Sequence, residues 1–282
     1  MLQPFLRLGS LWLISLFALL QSQSANGQQV RPLELTWEDN LLRIHADYLP
    51  GGSVEVWYLE AFCRKGATDR KWSETTIPHL TRLISTAPDR SRLELETIIE
   101  PGVVARHGIQ SGTDEVAFQI ELTNPTDSPA DIQWAQPCIR VGRFTGFGQD
   151  DYWKRCFVFL KGELNFLNQI PRTQEALYHG GQVYVPRGVE RGDVNPRPIS
   201  EFQPDPPIMG CVSHDDHWIL GAAWDSTQEL FQGVIVCLHS DFRIGGLQPG
   251  EKKTLKGRIY LLPNDPARLL QRWKNDFGRT GH

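Results

Sequence analysis

Cys237-Leu238-His239-Ser240-Asp241-Phe242-Arg243 brings a thiol, an imidazole, a carboxylate and a guanidinium into one short stretch. Side chains alternate in extended chain, so His239, Asp241 and Arg243 share a face there. An aspartate beside an imidazole orients and polarises it as a general base. The plainer reading is a polar network anchoring the end of a core strand. Trp134, Gln136, Cys138 and Arg140 repeat the alternation. An indole stacks on the C–H face of a sugar ring, while an amide and a guanidinium bond its hydroxyls or a carboxylate. A core tryptophan beside structural polar groups is the bland alternative. Glu60, flanked by Leu59 and Ala61-Phe62, and Glu229, after Gln228, are candidate carboxylates. An apolar setting raises a carboxyl pKa, as an acid catalyst needs. Pairing of Glu60 with Arg64, or plain exposure on a strand, competes with that role. Asp193, Asn195 and Arg197 lie in a Pro-, Gly- and Arg-rich segment, where they either cover a cleft or are simply solvated.

Other chemistries lack support. Ser213-His214-Asp215-Asp216-His217 is dense in ligand-type residues, yet it sits between two apolar strand-like runs, where Asp-Asp is ordinary turn chemistry. There is no nucleophile elbow, zincin helix, phosphate loop or dinucleotide fingerprint. No Cys-x-x-Cys or Cys-x-x-His spacing suggests a zinc cluster, so no metal or cofactor is expected. The five cysteines, Cys63, Cys138, Cys156, Cys211 and Cys237, are an odd number. One or two disulfides and a set of buried thiols are equally compatible with them.

The elements that must position these residues are short strands. Leu41 to Tyr48, Val54 to Phe62, Leu80 to Ser85, Leu93 to Ile99 and Val103 to Ile109 form the first series. Val116 to Leu122 alternates with period two, as a half-buried antiparallel strand does. Ile132 to Val141, Cys156 to Leu160, Met209 to Val212, Trp218 to Trp224, Leu230 to His239 and Thr254 to Leu262 follow. Many strands with short connections predict a mostly-β, antiparallel two-sheet sandwich. The segment 171–207 is long for a loop and reads as a functional rim or lid. Asp265 as cap, Pro266 at the first turn and Gly278 as stop predict a short C-terminal helix with Leu269, Leu270, Trp273 and Phe277 on its apolar side.

Two stretches resemble the galactose-mutarotase-like β-supersandwich. One is VAFQIELTNPTDSPADIQWAQPCIRV, Val116 to Val141, whose strand, Asn-Pro-Thr-Asp-Ser-Pro turn and following strand match the family's arrangement. The other is Leu247-Gln248-Pro249-Gly250-Glu251 and the strand after it, similar to the turn with which such folds close. The resemblance implies a sugar-facing concave sheet across nearly the whole chain. It does not carry over catalysis, because Gln136-Pro137 stands where the family places a substrate-contacting His before Pro, and Gln is no acid or base near neutral pH. WAQPCIRV and LHSDFRIGGL also resemble segments of a group of exported proteins of planctomycete-type bacteria, a likeness that implies export and no particular activity.

Export is expected from the N-terminus as well. Arg7, the apolar run Leu11 to Leu20 and Ala25-Asn26-Gly27 have the layout of a signal peptide cut after residue 27. Ten apolar residues are about half of what a membrane span requires, and no later stretch is a candidate. Residues 28–282 then form a single sandwich domain. Removing one Arg and no acid takes the net charge from −4 to −5, a balance that disfavours nucleic acid. Three functional readings remain: a carbohydrate-interacting protein, a sugar epimerase, lyase or hydrolase on the same scaffold, and a non-catalytic partner-binding protein of the cell envelope.

Overall fold

Alternation writes the two sheets. In Arg92–Ile99 the side chains of Leu93, Leu95, Thr97 and Ile99 are buried, and in Glu115–Thr123 those of Val116, Phe118, Ile120 and Leu122 are, each set at every second position. The computed structural model describes residues 32–148, 150–179, 181–233 and 235–278; the expected leader 1–27 lies outside them. The strands are β1 Glu34–Glu38, β2 Leu41–His45, β3 Ser53–Cys63, β4 Thr76–Ile77, β5 His79–Thr86, β6 Arg92–Ile99, β7 Val103–Ser111, β8 Glu115–Thr123 and β9 Trp134–Arg140. They continue with β10 Cys156–Leu160, β11 Glu163–Phe166, β12 Val183–Tyr184, β13 Met209–Val212, β14 Trp218–Trp224, β15 Thr227–Gln232, β16 Cys237–Arg243 and β17 Lys252–Pro263.

One sheet runs β1-β2-β3-β9-β16-β15-β12, with β4 paired to β3 off that path; the other runs β11-β10-β13-β14-β17-β8-β7-β6-β5. The strand pairs within both sheets are antiparallel. Their facing surfaces close on a core that includes Val56, Tyr58, Phe62, Ile120, Trp224, Leu238, Phe242 and Leu261. Inside it, the Tyr58 hydroxyl meets His107 Nδ1 at 3.0 Å and the Thr97 hydroxyl meets His107 Nε2 at 2.9 Å, a polar tie between the sheets. The β14–β17 part of the outer face of the second sheet is covered by the C-terminal helix Pro266–Phe277, where Asp265 accepts from the Arg268 amide at 3.0 Å and Leu269 and Phe277 are buried against Tyr260 and Leu262. Mostly-β architecture, two antiparallel sheets and the short helical brace are all as the pattern predicts. So is the Asn124 turn, in which the side-chain oxygen accepts from the Thr126 amide at 3.1 Å.

One strand differs from expectation. The run Leu230 to His239 is not continuous: β15 stops at Gln232, the chain turns back, and β16 starts at Cys237. Its apolar middle suggested a buried strand, but Ile235 stands 46% exposed in the connection. Backbone at Gly233 passes so close to the returning strand that a Cβ there would lie 2.1 Å from Cys237 Sγ. Short β1, β4, β11 and β12 carry too little periodicity to stand out. Glycine is equally demanded at Gly210, where a Cβ would fall 1.9 Å from the Leu220 carbonyl oxygen of the paired strand and 2.6 Å from the Phe157 ring. Backbone cannot step aside inside a ladder, so Gly210→Ala is expected to cost about 3 kcal/mol or more. Urea unfolding checks it, and a loss under about 1 kcal/mol would contradict the close approach.

Candidate functional site

Register brings the two sequence clusters onto one surface. Cys138 faces His239 and Trp134 faces Arg243 across the β9–β16 pair, while Trp57 faces Cys138 and Ala61 faces Gln136 across β3–β9. Glu229 faces Asp241 and Phe231 faces His239 across β15–β16. Leu238, Phe242 and Ile139 between them point into the sandwich core. The 134–140 and 239–243 sets therefore share the outer face of the first sheet. Between Trp57 and Ala61 an irregularity gives β3 two residues more than the facing stretch of β9, Gln136 to Cys138. It leaves Tyr58, Leu59 and Phe62 in the core and turns Glu60 outward beside Ala61, the re-aiming that bulges provide.

His239 is the hub. It is 3% exposed, and its ring lies parallel to Phe231 with centroids 4.3 Å apart. Its Nε2 is 3.4 Å from Cys237 Sγ and 3.9 Å from Glu60 Oε2, and its Nδ1 is 3.8 Å from Asp241 Oδ1. The last two separations are too long for hydrogen bonds. Nδ1 and both Asp241 oxygens are buried without a hydrogen-bond partner, a costly state that needs a reason. Gln136 donates to Glu60 Oε2 at 3.3 Å and accepts from Asn195 Nδ2 at 3.5 Å. Glu60 thus partners Gln136 and His239, while Arg64 donates instead to the Thr76 carbonyl.

Burial sets the protonation of the carboxyls. Glu229 is fully buried, its two oxygens accepting the Asn195 amide at 2.9 and 3.0 Å, and burial pushes its pKa up to about 8. Burial, then the neighbouring Glu229 and Glu60, raises Asp241 well above the carboxylate range. Cys237 moves the other way, down to about 5, because the Cys138 thiol and then His239 hydrogen-bond to it. Cys138 is correspondingly raised as the donor of that pair. All five cysteines are free and buried, so the disulfide alternative finds no bonded pair among them.

Several expected roles change. Trp134 is 0% exposed, packed with Ala61, Cys63 and Ala67 and flanked by the Trp72 ring at 6.1 Å, so it cannot stack on a ligand. Glu229 is sealed beneath the loop and cannot touch a substrate as an acid. Arg243 is spent within the fold, donating to Gln228 at 2.8 Å and lying 3.5 Å from Asp193. Asn195 and Asp193 sit on the 171–207 segment, which does lie over the sheet: β12 joins β15, and the Asp193 carboxylate accepts from the Gly66 amide at 2.8 Å. Arg197, on the same segment, has its guanidinium 5.3 Å over the Phe231 ring. Arg140 is half-exposed, 5.8 Å over the Trp57 ring and 3.9 Å from Glu55. Trp57, half-exposed on the site's own face, went unnoticed in the sequence. Alternation in VEVWYLEAF puts it with Glu55, which was the available signal. The sequence also hid the thiol pair: Cys138, Cys237 and His239 hold ligand-type atoms within 4.8 Å of one another. Ser213–His217 is the expected turn, with the Ser213 hydroxyl bonding Asp215 at 2.5 Å. A separate groove of about 430 Å³, edged by Arg92, Arg106, Glu121, Arg258 and Asp276, lies on the second sheet and includes none of these groups.

No protein family matches this sequence. No curated protein is significantly similar to it. Among solved structures, the chain is similar to a galactose mutarotase-like protein of Lactobacillus casei, at 8% identity and a TM-score of 0.42, over 82% of this chain and 100% of that one. It is similar to a galactose mutarotase related enzyme of Lactobacillus acidophilus at 7% identity and 0.42, over 82% and 97%. A third is the Slr1438 protein of Synechocystis, at 9% identity and 0.43, over 82% and 96%. Structures of the kind that Val116 to Val141 resembles are thus among the likenesses, but at TM-scores below 0.5 they say nothing about what this chain binds or does.

Proposed function

We propose that this chain is an exported, carbohydrate-interacting β-sandwich protein that meets its ligand on the outer face of the first sheet. The observation that carries the reading is the convergence of Glu60, Gln136 and His239 beside the half-exposed Trp57 and Arg140. An aromatic edge with a carboxylate, an amide and a guanidinium next to it offers a saccharide both apolar contact and directed bonds to hydroxyls. Asn195 and Arg197 hold the covering segment at the margin of that floor. The leader at residues 1–27 is the basis for export.

Binding of a saccharide panel to the protein tests this. Trp57→Ala and Glu60→Gln are each expected to weaken the best ligand about tenfold or more, equivalent to about 1.4 kcal/mol. Gln119→Ala, in the groove of the second sheet, is expected to change nothing. No binding by any neutral or acidic saccharide, or equal binding by all variants, rejects the reading.

One observation favours a second, catalytic reading on the same site. The Glu60 carboxylate and the His239 imidazole lie 3.9 Å apart at one place, the pairing that acid–base chemistry on a sugar needs. Undiminished turnover in His239→Ala excludes it.

A further inference from the structure

We propose that Cys138, Cys237 and His239 form a binding centre for a divalent cation of the zinc class, with Glu60 at the fourth position and Asp241 as the outer partner of the imidazole. The donor set is the first argument. Two thiols and one imidazole nitrogen come within 4.8 Å of one another, all on buried residues, and sulfur with imidazole is the combination that borderline-soft cations prefer over magnesium or calcium. Metal–ligand bonds of about 2.0–2.3 Å in a tetrahedron give edges of about 3.3–3.8 Å. Cys237 Sγ and His239 Nε2 are 3.4 Å apart, already one such edge. Glu60 Oε2, 3.9 Å from Nε2, completes another with a small approach.

The second argument is independent of the ligands. Zinc-bound histidines almost always give their other ring N–H to a carboxylate or carbonyl, which fixes the tautomer and ring plane. His239 Nδ1 is orphaned, both Asp241 oxygens are orphaned, and these buried groups are 3.8 Å apart. With a cation on Nε2 the ring must carry its proton on Nδ1, pointing at Asp241. The two unexplained buried groups then satisfy each other. Phe231, stacked at 4.3 Å, locks the ring in that plane. Space is the third point. Gly233 passes over the pair, and the Cβ it lacks would lie 2.1 Å from Cys237 Sγ and 3.0 Å from His239 Nε2. Any side chain at 233 would push Cys237 Sγ and His239 Nε2 out of place; glycine lets the two donors keep their positions.

The geometry also explains why no spacing signature announces the centre. Cys237 and His239 are neighbours on one face of β16, whereas Cys138 arrives from β9 through the register of the sheet. The two thiols and the imidazole supply three buried donors, so the Glu60 position, 28% exposed, is the open side of the centre. The proposal stands whether or not a saccharide binds, and its test contains none.

The full-length chain is purified reduced and metal-free, then titrated with Zn²⁺ and separately with Co²⁺. Expected are one zinc per chain by native mass spectrometry and a thiolate-to-cobalt charge-transfer band with the visible spectrum of a tetrahedral site. Both readouts use the unaltered protein. Cys138→Ser and Cys237→Ser are each expected to lower that band about by half and weaken zinc more than tenfold. Asp241→Asn is expected to weaken zinc about 10- to 100-fold with the band retained, which a merely structural role for Asp241 does not produce. Absence of stoichiometric zinc, binding without the charge-transfer band, or a band indifferent to both serine variants overturns the proposal. So does a mass two hydrogens low in the unreduced protein that maps to a Cys138–Cys237 disulfide, because the disulfide consumes both donors.

Discussion

Asp241→Asn is expected to melt above the unaltered protein at pH 8 in metal-free buffer, by on the order of 3 kcal/mol of unfolding free energy. Asp241 is 0% exposed, and neither oxygen has a hydrogen-bond partner. Groups facing it are Glu229 from β15, Glu60 from β3, and Cys237 and His239 from its own strand; the carboxyls and Cys237 all favour its neutral form, as burial does. The sign follows from linkage. A carboxyl whose folded pKa lies above its unfolded value of 3.8 holds its proton in the native state while the unfolded chain has released it. Its stabilising contribution is fully present below pH 3.8 and is lost as the pH rises toward the folded value. Glu229, raised from 4.5 to about 8, contributes a second loss of the same sign over that window. The gap between variant and parent should therefore close as the pH is lowered toward 4. Thermal melts at pH 4, 6 and 8 decide it; equal melting at pH 8 means that the carboxyl is not unpaired in solution. Amide for carboxyl removes the ionisation penalty and keeps the volume, so a gain in stability paired with a loss of zinc would mark Asp241 as kept for function.

The opposite slope is expected on the acid side, from His107. The ring is fully buried between Tyr58 and Thr97, and burial lowers its pKa from 6.5 to about 3. Between pH 6.5 and about 3 the unfolded chain binds a proton that the native state refuses. Stability from this group is complete above 6.5 and falls by about 4–5 kcal/mol as the pH drops through that range. His107→Gln, which has nothing to protonate, should show a shallower fall in urea-derived unfolding free energy between pH 6.5 and 3, while being less stable than the parent at pH 7. Identical slopes in the two proteins would show that His107 does not stay neutral. Summed with Asp241 and Glu229, this histidine puts the maximum of their joint contribution at about pH 4, above which the two carboxyls outweigh it. Two buried titrating regions, His107 between the sheets and Asp241–Glu229 on the outer face of the first sheet, pull in opposite directions.

Much of the architecture was written locally. Period-two alternation in β6, β7 and β8 is a property of successive residues, so the sandwich, its strands and the Asp265–Pro266 helix start could be read without tertiary information. The same alternation placed His239, Asp241 and Arg243 on one face and Trp134, Gln136, Cys138 and Arg140 on another, and the register confirms that these are one surface. Which side of the sheet that surface meets, and what covers it, is not a local property. Alternation is silent about whether the outer face of a central strand is open or roofed. Asn195 closes over Glu229, and Trp72 and Ala67 over Trp134, through segments far away in the chain. That is why an expected stacking ring proved to be core, and an expected acid a sealed carboxyl.

The opening cluster of thiol, imidazole and carboxylate was legible because Cys237, His239 and Asp241 sit two residues apart on one strand. Its partners were not. Glu60 is turned outward by a bulge, which breaks the alternation locally between Trp57 and Ala61 and leaves no mark in composition. Cys138 lies about a hundred positions away, and Trp57 farther still. The chain by itself determined the donors on β16 and their common face. Antiparallel pairing of β3, β9, β16 and β15 decided which distant residues surround His239, because hydrogen-bonded register, and not sequence separation, sets which side chains come within a few ångströms.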